Sequence, residues 1–145
     1  MLNIDPKLLS DIGKHAAEDY PRECCGVLLG TCDRELRHVH QTVRCRNAHP
    51  NPANRYTIEP EKLIAVQRQA RDLQMEIVGF YHSHPDHPPT CSQTDIEEAN
   101  WVGCSYLIVA LEHEKVTGMR SYVLSMEGDR RTMTEEPLIE AAIKP

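Results

Sequence analysis

The feature that most constrains the fold is a segment at residues 76–81 that is apolar on both of its faces. Its side chains Ile77, Val78 and Phe80 fall on the two opposite sides of an extended chain. A strand that buries both faces belongs at the centre of a sheet that is covered on each side. Because the segment leads directly into His-Ser-His-Pro at positions 82–85, the sequence predicts two histidines at the end of a central strand.

Periodic apolar residues and turn-forming residues predict the elements around this strand. Helices are predicted to begin at Pro6, Pro60 and Ser92 and to end near Tyr20, Met75 and Trp101. The other strands are predicted at residues 24–30, 35–46 (as one or two strands), 55–58, 105–111, 119–125 and 130–134, with a loop at 82–91 and a short helix within 137–145. Because strands outnumber helices and do not strictly alternate with them, the predicted class is α+β, a mixed sheet packed by helices.

Length and charge restrict the class of protein further. With 145 residues, the chain is expected to form a single domain, residues 1–145, with its own core. A net charge of -6 argues against a nucleic-acid-binding protein, whose domains usually carry a basic patch. No apolar run reaches the length of about 18 residues that a membrane helix needs. Residues 1–5 lack the features of a secretory signal, so a cytoplasmic protein is expected.

The six cysteines leave three interpretations open. In the cytoplasm they would stay reduced, and most would pack as small buried hydrophobic side chains. In an oxidising compartment they could form a disulfide framework, and a structural or redox role of the thiols is a further alternative. No Cys-x-x-Cys spacing is present, so neither a thioredoxin-type motif nor a cysteine-rich structural zinc site is indicated.

The two histidines that follow the central strand can share one metal ion with a carboxylate. Residues i and i+2 of an extended chain project to the same face, so His82 and His84 can converge. Asp95, at the start of the third predicted helix, can fold back as a third ligand. Two imidazoles and one carboxylate leave a fourth tetrahedral position open, which is typical of catalytic rather than structural zinc.

Each half of this pattern also has a plainer interpretation. Ser92 and Asp95 have the spacing of a capping box and could do no more than begin a helix. A His-x-His pair alone is weak evidence for a metal site. His38 and His40 form such a pair without a carboxylate at comparable spacing, and we expect them on a solvated strand face.

A zinc hydrolase also needs a general base, a carboxylate held near the metal without binding it. The sequence offers Glu23, Glu59 and Asp86 among several others. Glu23 is favoured because it lies where a predicted helix meets a buried strand and can therefore be held rigidly. Spacing and composition alone do not decide between them.

Three stretches together resemble the JAMM (MPN+) metalloprotease family. They are Pro-Arg-Glu-Cys-Cys-Gly-Val-Leu-Leu-Gly at 21–30, Gly-Phe-Tyr-His-Ser-His-Pro at 79–85, and Ser92 with Asp95 after seven intervening residues. The family pattern is a glutamate, then His-Ser/Thr-His-Pro, a serine after seven residues and an aspartate three further on. Every position is present, and the likeness runs from about residue 6 to residue 124. The resemblance implies a cytidine-deaminase-like JAB/MPN domain with a central mixed sheet flanked by helices.

The resemblance also implies a role for each of these residues. His82, His84 and Asp95 would bind one zinc ion. Glu23 would contact the zinc-bound water as general acid and base, and Ser92 would hydrogen-bond the developing oxyanion. Ser83 is expected to be structural, its side chain orienting a ligand histidine.

The family cleaves amide or isopeptide bonds after the C-terminal glycine of ubiquitin or ubiquitin-like proteins. Members specialised for polyubiquitin carry a long insertion after the aspartate, whereas only nine residues separate Asp95 from the strand predicted at 105. The chain is therefore similar to the compact prokaryotic branch. That likeness implies a substrate built on a small β-grasp sulfur carrier, with cysteine or another adduct released from the carrier's C-terminus.

Two rival functions remain beside this hypothesis, in addition to a structural or redox protein that uses its six cysteines. A non-catalytic scaffold of the same fold would typically lack a ligand or the glutamate, and none is missing here. A deaminase would need Pro-Cys-x-x-Cys ligands, which are absent. Cys24, Cys25 and Cys91 adjoin site residues, where they either pack as small side chains or allow oxidation to control the site.

Overall fold

The computed structural model describes residues 1–141, which form one eight-stranded mixed sheet with three helices. In chain order the elements are β1 (Leu2–Ile4), α1 (Pro6–Asp19), β2 (Cys25–Asp33), β3 (Leu36–Cys45), α2 (Pro60–Asp72), β4 (Glu76–Pro85), α3 (Gln93–Glu98), β5 (Ser105–Glu112), β6 (Lys115–Glu127), β7 (Arg130–Glu136) and β8 (Leu138–Ile139). The predicted α+β class is confirmed. No helix within this part of the chain combines the length and the apolar character needed to cross a bilayer.

The central position of β4 is also confirmed. The strand order is β7-β6-β5-β4-β2-β3-β1-β8, and β4 pairs in parallel with β5 and antiparallel with β2. All of β4 from Ile77 to Pro85 is buried. The consecutive residues Phe80 and Tyr81 belong to different apolar cores, one beneath α2 and one beneath α1. Because side chains alternate along a strand, His82 and His84 lie on the same face as Phe80.

The sheet curls until its two ends meet. β7 and β8 stand at opposite ends of the strand order, yet only Pro137 separates them in the chain. The carbonyl of Pro137 accepts a hydrogen bond from the backbone nitrogen of Leu2 at 3.0 Å. The helix predicted within 137–145 is therefore wrong for residues 138–139, which form a strand beside β1; residues 142–145 lie outside the described part of the chain.

A buried ion pair connects the strands at this closure. Arg37 is 8% exposed and donates hydrogen bonds to Glu136 at 2.9 Å and to Ser105 at 2.7 Å. Glu136 also accepts from the hydroxyls of Ser105 and Ser121, at 2.6 and 2.8 Å. Both charges are thus paired and hydrogen-bonded, which is the condition under which a protein tolerates buried ions.

Two predicted boundaries close to the histidines are wrong. The loop expected at 82–91 begins only after Pro85, because β4 continues to pair with β5 as far as Pro85 and Leu111. Residues 55–58 form no strand. The backbone nitrogen of Thr57 instead donates to the side chain of Asn47 at 3.2 Å, and its carbonyl accepts one bond from Ala48 nitrogen at 2.9 Å, so the segment is held by these two bonds and not by a strand pairing.

Two further boundaries differ away from the histidines. β6 begins at Lys115 and not near residue 119, because the hairpin already pairs Glu112 with Lys115. α3 ends at Glu98 and not at Trp101, because Ala99 has an extended backbone conformation. In this shorter helix, the first turn, which contains Asp95, is the part that faces β4.

Candidate metal centre

The three predicted ligands converge at the end of β4. The Nε2 atoms of His82 and His84 are 3.2 Å apart. The carboxylate of Asp95 reaches them from the first turn of α3, with Oδ1 3.1 Å from His82 Nε2 and Oδ2 3.0 Å from His84 Nε2. Both histidines are buried, at 1% and 8% exposure. One nitrogen from each ring and the carboxylate of Asp95 therefore converge on the same place.

These spacings fit a tetrahedral metal ion. Ligand atoms at about 2.0–2.1 Å from zinc and at the tetrahedral angle lie about 3.3 Å from one another. The separation of the two Nε2 atoms, 3.2 Å, therefore matches one edge of such a tetrahedron, and each nitrogen has one oxygen of Asp95 at 3.0–3.1 Å. With one of these oxygens as the third ligand, a fourth vertex is left for a ligand from outside the chain.

The protonation of the rings also suits a cation. His84 Nδ1 lies 2.9 Å from the carbonyl oxygen of Pro88, and since a carbonyl only accepts, Nδ1 must carry the hydrogen. Burial lowers the pKa of His84, but the hydrogen bonds with Asp95 and with the Pro88 carbonyl raise it overall, so Nε2 donates to Asp95 in the charged ring and a metal ion would replace that hydrogen. Burial lowers the pKa of His82, which favours the neutral imidazole that binds metals.

The carboxylate of Asp95 is held in its charged form. Burial alone would raise its pKa, but the hydrogen bonds with His82 and His84 outweigh burial and hold the pKa well below its ordinary range. The backbone nitrogen of Ser92 donates a further hydrogen bond to Oδ2 at 2.9 Å. A neutral imidazole beside a permanent carboxylate is the donor set that divalent zinc prefers.

The second His-x-His pair has no such geometry. His38 Nδ1 contacts the side-chain amide of Asn3 at 3.2 Å, and His40 Nε2 contacts the hydroxyl of Thr31 at 3.1 Å. Within residues 1–141, the group formed by residues 82, 84 and 95 is the one cluster of at least three His, Cys, Asp or Glu side chains with metal-binding spacing. The presence of the Asp95 carboxylate, and not the spacing of the histidines, therefore distinguishes the metal-binding pair from the other pair.

Glu23 is brought to the same place because β2 runs antiparallel to β4, with Cys25 opposite His82. It directly precedes Cys24 and β2, and it lines an open cavity of about 300 Å³ together with His84, Ser92 and Asp95. Its side chain accepts no hydrogen bond from residues 1–141 and the residue is only 6% exposed. Burial raises the pKa of Glu23 to about 8, and the neighbouring Asp95 and Glu98 act in the same direction.

The other two carboxylates considered from the sequence lie elsewhere. Glu59 is the N-cap residue of α2 and faces Arg46 at 3.4 Å. Asp86 is not simply solvated: its carboxylate accepts from the Tyr20 hydroxyl at 2.5 Å and from the backbone nitrogen of His113 at 2.7 Å. Neither lines the cavity that contains His84 and Asp95.

Ser92 can be both a helix cap and a hydrogen-bond donor to a substrate. Its hydroxyl oxygen accepts from the Asp95 backbone nitrogen at 3.0 Å, which completes a capping box with the bond from Ser92 nitrogen to Asp95. A hydroxyl has two acceptor lone pairs and one donor hydrogen. The cap uses only an acceptor, so the hydrogen stays available, and the cap fixes the position from which it is donated.

Ser83 connects the strand of the histidines to the residue after Glu23. Its buried hydroxyl accepts from the backbone nitrogen of Cys24 at 2.8 Å, and its own backbone nitrogen donates to the Cys24 carbonyl at 3.1 Å. The sequence predicted that this side chain orients a ligand histidine; it instead fixes the backbone of Cys24, between Glu23 and the start of β2. Cys24 and Cys25 pack into different apolar cores. Burial raises the pKa of Cys24 and of Cys91 to about 12, which supports packing over thiol control.

Asn47 is a positioning residue that sequence reasoning missed. Its Nδ2 donates to the carbonyls of Glu23 and Arg55, both at 2.9 Å, and its Oδ1 accepts from the backbone nitrogens of His49 and Thr57, at 3.1 and 3.2 Å. One side chain thus joins Glu23 to the loop between β3 and α2. The only sequence signal was an asparagine in a loop rich in proline and asparagine, which predicts a turn and not its partners.

We expect replacement of Asn47 by alanine to destabilise the protein by about 2–3 kcal/mol, because several net hydrogen bonds of about 1 kcal/mol each are lost. Urea unfolding would measure the loss. Asn51→Ala, an exposed change in the same loop, is the matched control and should cost under about 0.5 kcal/mol. Equal midpoints for the two variants would contradict the role given to Asn47.

Tyr56 is a second missed residue. Its ring stacks on that of His82, with centroids 4.6 Å apart and planes inclined by 21°. Within the described residues His82 Nδ1 has no hydrogen-bond partner, whereas a metal-bound histidine usually donates through its second nitrogen. Stacking against Tyr56 therefore orients the His82 ring in place of a hydrogen bond.

Comparison with known proteins assigns the family. Residues 5–125 match the family described as prokaryotic homologs of the JAB domain. The desampylase of Haloferax volcanii is 39% identical over 101 residues, covering 70% of this chain and 71% of that protein. The probable TtuB-protein conjugate cleaving protease of Thermus thermophilus is 27% identical over 124 residues, or 86% and 76% of the two chains.

A solved structure agrees with this assignment. The solution structure of a protein from Desulfitobacterium hafniense superposes with a TM-score of 0.84 at 27% identity, covering 97% of this chain and 93% of that one. The expected JAB/MPN fold is thereby confirmed, together with the resemblance seen in the sequence. The chain belongs to the prokaryotic homologs of the JAB domain, the prokaryotic part of the JAMM/MPN family.

Proposed function

We propose that this protein is a zinc-dependent peptidase or isopeptidase that hydrolyses the amide bond after the C-terminal glycine of a ubiquitin-like or sulfur-carrier protein. One observation carries the proposal: a buried carboxylate without hydrogen bonds, Glu23, shares a cavity with His84 and Asp95 of the candidate metal centre. The names of two relatives, a desampylase and a TtuB-protein conjugate cleaving protease, support the substrate class.

The roles of the residues follow from their chemistry. When bound by His82, His84 and Asp95, zinc would supply Lewis acidity that polarises a carbonyl and acidifies a coordinated water. Glu23 accepts the proton of the attacking water and returns it to the leaving amine. In the metal-free chain burial raises the pKa of Glu23 to about 8, which moves it towards the operating pH, where a general acid–base group works best. The Ser92 hydroxyl donates to the oxygen on which negative charge develops.

The short connection between Asp95 and β5 favours a small carrier protein as the substrate. Nine residues lie between Asp95 and β5, and the cavity beside them is open. All six cysteines are unpaired, which supports the cytoplasm as the compartment in which the protein acts. We take residues 1–145 as one catalytic domain.

Cleavage of a defined fusion tests this function. The zinc-loaded protein would be incubated with a small β-grasp protein that ends in Gly-Gly and is extended by a reporter peptide. We expect cleavage after the second glycine, measured by mass spectrometry, and none with the Glu23→Ala variant or after chelation. A wild-type protein that neither cleaves the fusion nor binds one zinc per chain would instead support the non-catalytic scaffold.

Ser92→Ala should lower kcat by about 10²–10³, the usual effect of removing one oxyanion donor. The lost helix cap should cost about 1 kcal/mol of stability as well, which urea unfolding measures separately. Ser92→Thr keeps both a hydroxyl and a cap and should restore most of the activity. If the threonine variant were as inactive as the alanine variant, the hydroxyl would not be the active group.

A further inference from the structure

We propose that a cavity lined by aromatic rings beside the candidate metal centre binds a large apolar side chain of the carrier protein, just before its terminal Gly-Gly. The inference rests on the proposed function and names a sequence feature of the substrate that the metal centre itself does not select. The cavity measures about 380 Å³, within the range of about 300–1,000 Å³ that is usual for ligand pockets. We call it the aromatic cavity, after four of the residues that line it: Tyr56, Phe80, Trp101 and Tyr106.

The aromatic cavity adjoins the metal centre through both elements that carry the metal ligands. Phe80 lies two residues before His82, on the same face of β4. Glu98, which also lines the cavity, follows Asp95 by three residues on α3, and residues at this spacing are neighbours on a helix. The ring of Tyr56 stacks on that of His82. A substrate that reaches the metal can therefore continue into the aromatic cavity.

The position of Glu23 assigns the aromatic cavity to the carrier and not to the leaving group. Cys25 is opposite His82 in the antiparallel pair of β2 and β4, so Glu23 lies at the His84 end of the site, and it shares a cavity with His84. Phe80 lies on the other side of His82 along β4. A general acid must stand beside the nitrogen that it protonates. The released amine therefore lies towards Glu23, and the carrier chain extends from the metal in the opposite direction, towards Phe80.

The lining of the aromatic cavity favours an uncharged, apolar side chain. Leu63 adds an aliphatic side chain to the four rings. Glu98 is the one carboxylate among the lining residues, and Arg55 pairs with it at 3.4 Å. His49 accepts a hydrogen bond at Nδ1 from the backbone nitrogen of Asn51 at 2.9 Å, so Nδ1 carries no hydrogen and the ring is uncharged. Together with Arg55 the lining has no net charge, and a large apolar side chain is the chemistry that fits it.

Contacts between the rings hold the walls of the aromatic cavity in place. The edge of one ring meets the face of the other in the pair Phe80 and Trp101, with centroids 5.2 Å apart and planes inclined by 69°. Phe80 also stacks on Tyr106, with centroids 5.5 Å apart, and the backbone nitrogen of Trp101 donates to the Tyr106 hydroxyl at 3.0 Å. Tyr56 and Trp101 are only half-buried, so their rings remain accessible to a ligand. A cavity that is already formed binds without a further cost of ordering its walls.

The extended form of a Gly-Gly end indicates which residue of the carrier would enter. Two glycines bring no side chain to the metal centre, and an extended chain advances about 3.3 Å per residue. The first side chains that can reach the aromatic cavity are therefore those of the third and fourth residues before the scissile bond. Because successive side chains of an extended chain point to opposite faces, one of these two residues enters the cavity and the other does not.

Trp101 provides a direct measurement of binding, because it is the only tryptophan of the chain. The zinc-loaded Glu23→Gln variant, which should hold peptides without cleaving them, would be titrated with acetyl-Phe-Ala-Gly-Gly, acetyl-Ala-Phe-Gly-Gly and acetyl-Ala-Ala-Gly-Gly while the tryptophan fluorescence is recorded. We expect one of the two phenylalanine peptides to change the emission and to bind about tenfold more tightly than the other two peptides, the effect of burying most of one large apolar side chain. Lysine in place of that phenylalanine should abolish the advantage.

The same titration has outcomes that would overturn the inference. These are equal affinities for the three peptides, tighter binding of the lysine peptide, or a tryptophan emission that none of them changes. Acetyl-Gly-Gly-Phe carboxamide tests the direction of the chain, because its phenylalanine follows the scissile bond. If it binds more tightly than both phenylalanine peptides and changes the emission, the aromatic cavity belongs to the leaving group and the inference is wrong.

Replacements in the same background show where the phenylalanine binds. Thr57 is an exposed residue of the lining, and Thr57→Phe should fill the cavity and bring the tenfold preference to about one. Thr117→Phe, an exposed change on β6 outside the aromatic cavity, is the matched control and should keep the preference. Leu63→Ala removes an apolar contact and should reduce the preference, whereas Leu73→Ala, exposed at the end of α2, should not. A preference that survives both Thr57→Phe and Leu63→Ala would place the phenylalanine elsewhere.

This outcome is separate from that of the proposed function. Cleavage of the reporter fusion tests hydrolysis whichever residues precede Gly-Gly. If the zinc-loaded enzyme cleaves fusions with phenylalanine and with alanine before Gly-Gly at equal kcat/KM, the function stands and the inference fails. If it cleaves no fusion, the function fails, and the peptide titration still decides whether the aromatic cavity binds an apolar side chain.

Discussion

Glu23→Gln should reduce kcat by about 10²–10⁴, the range that a positioned general acid–base group contributes, while the zinc content stays at one per chain. Glutamine keeps the size and polarity of the side chain but can neither accept nor return a proton at neutral pH. Because Glu23 is not one of the three residues whose ligand atoms converge, its replacement should leave the metal in place. Steady-state kinetics with the reporter fusion and a metal assay on the same sample would measure both quantities.

The same substitution should stabilise the metal-free fold at alkaline pH. Burial raises the pKa of Glu23 to about 8, against 4.5 for the ordinary group, so the folded state binds the proton more tightly than the unfolded chain. Stability contributed by this group is then present below pH 4.5 and is lost as the pH rises towards 8. The Tm of Glu23→Gln should therefore exceed that of the wild type at pH 8, with a difference that shrinks towards pH 5.

Glu59→Gln is the matched control for both effects. Glu59 was a candidate from the sequence, but it is half-exposed and lies at the start of α2. Its replacement should change neither kcat nor the pH dependence of Tm by a measurable amount. A Glu23→Gln variant with more than a tenth of the wild-type kcat, or a Tm difference that grows as the pH falls, would contradict the role assigned to Glu23.

The parts that sequence reasoning predicted correctly are local in the chain. Apolar runs identified β2, β4 and β5, and proline marked the starts of α1 and α2. The ligand set could also be proposed, because His82 and His84 are neighbours on one strand and Asp95 follows within 14 residues, counting from His82. Glu23, which lies 59 residues before His82, was favoured by its position before a buried strand, and the resemblance then selected it from the other carboxylates.

The parts that were missed depend on contacts between distant segments. β1 has three residues, too few for a periodic pattern, and exists because it pairs with β3 and β8. The burial of Arg37 could not be predicted from its own strand, because its partner Glu136 lies 99 positions away. The interaction of Tyr56 with His82 and the hydrogen bonds of Asn47 likewise join a loop to strands, and loop composition predicts a turn without predicting its neighbours.

His84→Ala should lose zinc as well as activity, with metal affinity reduced by more than 100-fold, since even changes outside the coordination sphere cost about 10–100-fold. The substitution removes one of only three ligand atoms and leaves the carboxylate of Asp95 buried with one fewer partner. Competition with a chromogenic chelator would give the affinity, and the fusion assay would give the activity. Added zinc should not restore the wild-type rate.

His40→Ala provides a control that the chain itself supplies, because it removes the second histidine of the other His-x-His pair. Among the described residues the side chain of His40 hydrogen-bonds only to the hydroxyl of Thr31, and it is exposed, so its loss should leave both zinc affinity and kcat unchanged. The contrast separates a metal ligand from a histidine with the same local spacing. Equal zinc affinity in the two variants would show that the carboxylate of Asp95 does not make residues 82 and 84 a metal site, and the proposed hydrolase mechanism would fall with it.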